Sequence, residues 1–593
     1  MDGKILDWVY PAERFSLDGD PHSMRAVAQE IFNLDKNSAE GFAIMAEASL
    51  YLGALKDAEY FAQSALAAEK NHLRGRLVTG GVAIKNFKLK AQLKILEGVI
   101  DDAHRELKNL RASLQEHNHK FAFNRRKRTS ADEDFEKQIS KEIFITQSIL
   151  FKALTWRTNG LYLTGEPARA AQSLFEACAL TDKNELAAEL YSKHLFLRNY
   201  RDTSQAQTKE LAQKYNSFFA EITPFACAKN ISGKKIRVGY ISPDFREHAV
   251  ANFLTPLFKN FDAEKFSVTC YATGKSDFVT ERFKKFKVSW RDLAGKEPLL
   301  VANIIAEDKV DILVDLSGHS QDSCLPILAY KPAPVQISGI GYTATTGLNT
   351  VDYFLSDKIC SPENLPTSFT EKILRVEPCH LCYAPDLIHE MPAPATFAPV
   401  QKNHFVTFGS FNNFAKISEE LLYLWRAILE RVTNSRLILK NKLCSLDEGR
   451  KIIREKLSKM SFPLDRVELR PYSPDYLQQY CEIDIALDTF PYTGGTTTCE
   501  ALYMGVPVIT LRGKTHGSRF GASILNAADL SELIAQSPMD YVNKAVQLSR
   551  RKELLEAYHI GLREHMQNSA LMDSEKYIRS LEKIYKEVVY GFE

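Results

Sequence analysis

The sequence predicts an α + α/β chain: a helical, tetratricopeptide-like region followed by two successive doubly wound, Rossmann-like lobes. Three observations carry this. Up to about residue 220, apolar residues recur at helical spacing and no run reads as a strand. Beyond it, β-rich apolar runs alternate with helical segments. The length, 593 residues, exceeds what one hydrophobic core supports, so several units must share the chain. We divide it into a helical region at 1–220, a first lobe at 221–395 and a second at 396–593.

In the helical region, the segment from Ala39 to Asn71 has small residues where two helices must touch: Ala46, Gly53, Ala58 and Ala65. Their spacing is that of a tetratricopeptide repeat, in which glycine closes the turn and alanine lets paired helices approach. A second copy runs from Phe151 to Asn184, with Gly165, Ala170 and Ala177 at the same offsets. An unrelated bundle with Ala-rich contacts is the alternative, and the matching offsets favour the repeat. Residues 22–38 read as the second helix of a degenerate earlier copy, and 73–150 as an inserted helical segment. The insert carries a basic run at 124–128, which reads as a solvated loop.

The first lobe opens on IRVGYIS (236–242), a continuous apolar run of the kind buried on both faces of a parallel sheet. Runs at 266–273, 311–318 and 334–342 continue it. The second lobe has runs at 405–411, 436–441, 466–472, 483–490 and 506–511. Two doubly wound units of about five strands each would face one another across a cleft, with ligands held beyond the carboxyl ends of the strands.

Bulk properties exclude several classes of function. A net charge of +2 supplies no field for nucleic acid or a membrane surface. No stretch approaches the roughly eighteen apolar residues of a membrane span, and the opening MDGKILDWVYPAERF lacks the apolar core of an export signal. Ten scattered cysteines read as buried thiols, and together these features predict a cytoplasmic protein. Cys379 and Cys382 form one CxxC pair without a second pair or paired histidines, so no metal site is predicted. The only Asp-x-Asp pairs, Asp18 with Asp20 and Asp132 with Asp134, lie in the helical region, which favours metal-free chemistry in the lobes.

Three constellations carry chemistry. In DTFPYTGGTTTCEALYMG, Asp488 to Gly505, a strand ends, Gly494 and Gly495 turn the chain, and Thr496, Thr497 and Thr498 open a helix. Free backbone N–H groups and hydroxyls then meet where an anion would be held, although a Thr-capped helix start is the plain alternative. Glu500 falls one turn on, where its carboxylate could accept from ribose hydroxyls. In GSFNNFAKIS, Asn412, Asn413 and Lys416 follow a buried strand, and the lysine could neutralise a diphosphate. In ISPDFREHAVANFL, His248 follows the first strand of the first lobe, where a base near neutral pKa would suit a hydroxyl acceptor; His319 marks another strand end and is a candidate donor contact.

These residues resemble a known family. KIRVGYISPDFREH, LVDLSGHS, KPAPVQISGIGYTATTGLNTVDY, LCYAP, FVTFGSFNNFAKIS and DTFPYTGGTTTCEALYMGVPVITL recur, in that order, in the O-GlcNAc transferase and Spindly family of protein O-glycosyltransferases. The likeness covers about residues 186–590. It implies a GT-B fold, inverting transfer from a nucleotide sugar in the second lobe to Ser or Thr of a protein, and helical repeats that bind the acceptor. It implies no cofactor beyond the donor, no nucleic acid and no membrane span, and leaves oligomers open. By the same resemblance Lys416 contacts the donor diphosphate, as do Thr496 and Thr497. Asn413 belongs to the donor loop, Glu500 contacts the ribose, His248 is the candidate base, and Asp277 and Thr280 fall near the sugar pocket. Gly495 replaces a donor-contacting histidine of the animal enzyme, and Thr343 replaces a proline. The chain reads as a bacterial-type member with UDP-GlcNAc as expected donor and flagellin or another surface protein as acceptor. GDP-fucose is the alternative donor, and a repeat-based binding protein with a degenerate transferase half is the alternative class.

Overall fold

The computed structural model describes residues 3–124, 128–227, 235–385, 388 and 390–591. The chain forms two compact units, Met1–His194 and Leu195–Glu593. The helix Gln205–Tyr215, which the sequence groups with the helical region, belongs to the second unit. None of the described helices is long and apolar enough to cross a membrane.

The first unit is built of consecutive helices that pair with their neighbours: α1 (Gly3–Asp18), α2 (Pro21–Leu34), α3 (Ala39–Tyr51), α4 (Leu55–Ala68), α5 (Leu73–Lys85), α6 (Leu89–Asn124), α7 (Ser130–Leu163) and α8 (Pro167–Cys178). Both repeats read from the sequence are helix pairs, α3 with α4 and the end of α7 with α8. Gly53 and Gly165 follow α3 and α7 at φ +76° and +82°, a left-handed conformation that closes each turn at no steric cost. Ala46, Ala58, Ala65, Ala170 and Ala177 are fully buried between the paired helices.

The segment 73–150 is more ordinary than the insert it was expected to be. Its first part, α5 with the start of α6, is another packed pair, and a Cβ at Gly81 would strike Leu50 and Trp156. What departs from the repeat is length, since α6 and α7 run 36 and 34 residues and pack together as a long hairpin. The basic run at its tip has residues 125–127 outside the described set.

A buried charge cluster fastens four of these helices. The Arg74 guanidinium on α5 pairs with Glu13 on α1 and, at 2.8 Å, with Glu47 on α3. Lys152 on α7 reaches Glu13 at 2.5 Å and Glu47 at 2.7 Å. Burial works against the charged form of Glu47, but Lys152 and Arg74 outweigh it and hold the carboxyl down at about 2. Glu40 also meets Arg74, at 3.3 Å, and His72, at 3.2 Å, so Arg74 serves three carboxylates and its removal strands buried negative charge. Arg74→Met is therefore expected to cost about 3–5 kcal/mol, read as lowered urea or thermal stability of the full chain; a loss under about 1 kcal/mol would mean that water already enters the cluster.

The second unit contains two parallel sheets. The first joins β1 (Ile236–Ser242), β2 (Phe266–Ala272), β3 (Ser289–Asp292), β4 (Ile312–Asp315), β5 (Val335–Ser338), β6 (Tyr353–Ser356) and β7 (Lys372–Arg375), in the order β3-β2-β1-β4-β5-β6-β7. The second joins β8 (Val406–Ser410), β9 (Ser435–Lys440), β10 (Val467–Arg470), β11 (Ile485–Leu487), β12 (Val508–Leu511) and β13 (Ile534–Ala535), in the order β10-β9-β8-β11-β12-β13. Both follow the doubly wound Rossmann order, the second across all six strands and the first with β7 added at the edge. The fold is GT-B: two Rossmann-like lobes.

Every apolar run singled out in the sequence became a strand, and the strands not foreseen are short. β3 (SWRD) is largely exposed with no apolar run to announce it, and β13 is two residues long. The final helix, Ser574–Tyr590, returns to the first lobe, where the Tyr585 and Tyr240 hydroxyls meet at 3.0 Å and the Glu582 carboxylate accepts the Asp262 N–H at 2.6 Å.

Candidate functional site

In each sheet the strand order reverses at one place, between β1 and β4 and between β8 and β11. The loops beyond those strands diverge to opposite sides and leave a crevice. The predicted site residues of the second lobe come from the loops after β8 and β11, and His248 and His319 come from those after β1 and β4.

The loop after β11 is organised by Asp488. Its Oδ1 accepts the N–H groups of Gly494 (2.7 Å) and Thr489 (2.8 Å), and its Oδ2 accepts the Thr510 hydroxyl (2.7 Å). The chain from 489 to 494 is thereby folded over one buried carboxylate. A Cβ at Gly494 would approach Thr497 Oγ1 to 2.6 Å and Thr498 Oγ1 to 2.7 Å, so only glycine closes this turn. Gly495 then caps the helix Thr496–Tyr503 without any side-chain hydrogen bond. A helix start without a side-chain cap carries partial positive charge and unclaimed N–H groups, the ordinary seat of a phosphate.

The loop after β8 supplies the full charge. Asn413 caps the turn Phe414–Lys416 by accepting the Ala415 N–H at 3.1 Å, while Phe414 and Ala415 are buried and pin it. Lys416 is thereby directed to the other loop, where its Nζ donates to the Thr493 carbonyl at 3.1 Å and lies 4.2 Å from the Tyr492 ring centre. Burial pulls the Lys416 pKa down to about 8, with Asp488 opposing it. The Thr497 hydroxyl donates to buried Asn412 Oδ1 at 3.1 Å, tying the two loops together. The loop carrying Asn413 and Lys416 thus meets the loop carrying Gly494, Gly495, Thr496 and Thr497.

Glu500 lies one turn further on, buried, and its Oε1 accepts the Tyr476 hydroxyl at 2.6 Å. Burial lifts its carboxyl to about 7. Sequence reasoning missed the aromatic side of this pocket: Tyr476 stacks near Tyr472, and Tyr480 donates to the Thr497 carbonyl at 3.4 Å. The signal available was the spacing of tyrosines in PYSPDYLQQY, but only the tertiary fold sets that loop, which follows β10, against Glu500.

From the first lobe, the Ala249 carbonyl accepts the Thr496 hydroxyl at 3.0 Å, which sets the turn carrying His248 against the helix start. His248 Nδ1 accepts the Val250 N–H at 3.4 Å and stands 3.6 Å from the Asp244 carboxylate, with the ring partly exposed. Desolvation lowers its pKa although Asp244 opposes this, which keeps the imidazole neutral near pH 7.

Three further residues singled out in the sequence hold the first lobe together. Asp277 and Thr280, expected near a sugar pocket, hold this turn in place. The Asp277 carboxylate accepts the Glu247 N–H at 2.7 Å and caps Phe278–Phe283, and buried Thr280 donates to the Phe245 carbonyl at 2.6 Å. His319, expected to touch the donor, is a core residue packed edge-on against Tyr215 and Tyr342, with Nε2 2.8 Å from the Thr346 carbonyl. Burial lowers its pKa to about 4. A strand-end position does not by itself reveal whether a side chain points out of the sheet or under its loop.

The model of glycosyl transferase family 41 matches residues 200–382 and 400–581. The chain belongs to glycosyl transferase family 41. Among curated family members, a probable UDP-N-acetylglucosamine–peptide N-acetylglucosaminyltransferase SPINDLY of Solanum lycopersicum is 37% identical over 386 residues, 64% of this chain and 41% of that protein. The Oryza sativa subsp. japonica protein of the same name is 35% identical over 423 residues, 70% of this chain and 45% of its own length. The chain therefore spans under half the length of these relatives. Among solved structures, a mutant of the Thermobaculum terrenum O-GlcNAc transferase superposes with a TM-score of 0.68 at 23% identity, covering 99% of this chain and 98% of that one, a likeness of fold.

The lowered Lys416 pKa gives this family site a checkable pH dependence. The protonated amine binds an anion, so affinity for a pyrophosphate diester, whose own charge is constant over this range, is expected to be flat below about pH 8 and to fall, by at most about tenfold per unit, above it. Calorimetric titration measures this, and Lys416→Met should both weaken binding and abolish the inflection.

Proposed function

We propose that this chain is an inverting protein O-glycosyltransferase that moves GlcNAc from UDP-GlcNAc onto a Ser or Thr hydroxyl of a protein acceptor. The observation that carries this reading is the convergence of the Lys416 ammonium and the helix start at Thr496 on one crevice, opposite the His248 turn. The names of the family relatives, UDP-N-acetylglucosamine–peptide N-acetylglucosaminyltransferases, support the donor and the acceptor class.

The chemistry is a single displacement. The acceptor oxygen forms a bond to the anomeric carbon as the bond from that carbon to the diphosphate oxygen breaks, inverting the centre. Negative charge grows on the departing diphosphate, where the Lys416 ammonium and the first-turn N–H groups can receive it, joined by the Thr496 and Thr497 hydroxyls once these turn from the Ala249 carbonyl and Asn412. The acceptor proton passes to neutral His248 or to the donor phosphate itself. Glu500, with Tyr476 beside it, would accept from the ribose hydroxyls. In this reading the reaction draws on no metal or cofactor, the helical repeats of the first unit hold the acceptor, and the protein works in the cytoplasm on a surface protein such as flagellin before its export.

Incubating the full chain with candidate acceptors and a panel of nucleotide sugars, followed by intact-mass measurement, tests the proposal. Addition of a HexNAc mass from UDP-GlcNAc is expected. A deoxyhexose addition from GDP-fucose would change the donor, and no mass change with any donor would favour a binding protein. Lys416→Ala should retain less than about a tenth of the rate, one decade being 1.4 kcal/mol. The acid limb of kcat/KM should fall below pH 6.5, because burial lowers the His248 pKa from that value. His248→Gln should remove that limb; an unchanged profile would assign the proton to the donor phosphate.

A further inference from the structure

A cluster of metal-ligating side chains lies on the loops after β6, β7 and β12. Cys360, His380 and His516 are all buried, and one potential ligand atom from each lies within 4.8 Å of the others. Cys360 follows β6 and His380 follows β7 in the first lobe, whereas His516 follows β12 in the second. None of the three takes part in the chemistry proposed above.

The second hydrogen-bonding position of each imidazole is what makes the cluster informative. His380 Nδ1 lies 2.5 Å from Asp357 Oδ2, and His516 Nδ1 lies 3.1 Å from the Thr343 carbonyl. Each partner is an acceptor, so each ring carries its proton on Nδ1 and a lone pair on Nε2. Both Nε2 atoms are buried without a hydrogen-bond partner among the described residues. A carboxylate or carbonyl behind a histidine, fixing its tautomer and turning the other nitrogen inward, is the outer shell that metal-ligating histidines have. Asp357 also orders the other ligands: its Oδ1 accepts the Cys360 N–H at 2.8 Å, and its Oδ2 accepts the His380 N–H at 3.2 Å and the Ser523 hydroxyl at 2.7 Å.

We propose that Cys360 Sγ, His380 Nε2 and His516 Nε2 form a structural zinc site that clasps the two lobes. One thiolate with two imidazoles is a donor set suited to zinc, and a fourth position is left for water. On binding, the Cys360 thiol loses its proton to solvent. The zinc dication, the Cys360 thiolate and the Asp357 carboxylate then sum to zero, so the buried assembly carries no net charge. The CxxC pair does not act as a unit: Cys379 Sγ contacts Ser523 Oγ at 3.2 Å, while Cys382 Sγ points to Ser574 Oγ at 3.8 Å. The metal-free reading of the transfer chemistry is separate and stands or falls by itself.

The test is metal content of the full-length protein, stripped with chelator, equilibrated with equimolar zinc sulfate and passed through gel filtration. About one zinc per chain is expected by plasma mass spectrometry, with Cys360→Ala and His516→Gln near background and Cys382→Ala unchanged. Wild-type protein holding under about a tenth of an equivalent, or Cys360→Ala holding as much as wild type, overturns the site. Should the variants fail to fold, cobalt-loaded wild type still decides, because a thiolate ligand gives a sulfur-to-cobalt charge-transfer band and its absence excludes Cys360.

Discussion

The candidate site depends on one buried carboxylate, that of Asp488. Placed at the end of β11, it gathers two backbone N–H groups and the Thr510 hydroxyl, and so bends the Gly-Gly loop back over itself. That bend exposes the Thr493 carbonyl to Lys416 and delivers a helix start without a side-chain cap into the crevice. Burial raises the Asp488 carboxyl to about 6, and its hydrogen bonds and Lys416 resist the rise. Burial thus drives the acid and the amine toward neutrality, and the charge of each works to keep the other ionised. An incoming diphosphate would meet a lysine whose charge is not already neutralised by a close ion pair.

Above this local arrangement stands a topological one. Each sheet reverses its strand order once, and the reversal opens a crevice where a loop from either side can meet a ligand. In the second lobe this brings together residues some 80 positions apart in sequence, such as Asn412 and Thr497. The first lobe repeats the plan, but its two histidines are used differently. His248 sits in a turn pinned by Asp277 and Thr280 at the rim, and His319 is sealed into the core by Tyr215 and Tyr342.

The first unit solves a different problem, stacking helix pairs whose individual faces are too small to bury alone. Alanines and positive-φ glycines permit the close pairing. The cluster of Arg74, Lys152, Glu13 and Glu47 then fixes which helices become neighbours, because its charges are tolerated only when all four helices arrive together.

The sequence by itself determined the fold class, the helical repeats and most strands, because periodicity and apolar runs are local consequences of burial on one face or two. It also marked Lys416, Gly494, Thr496, Thr497 and Glu500, because a Gly-Gly turn before a Thr-rich helix and a lysine after a buried strand keep their meaning in isolation. Only the tertiary structure decided what depends on non-local packing. It set Tyr476 against Glu500, assigned Asp277 and Thr280 to holding a turn, and buried His319. It alone brought Cys360, His380 and His516 together, since residues on three separate strand-end loops have no spacing in the chain that foretells their meeting.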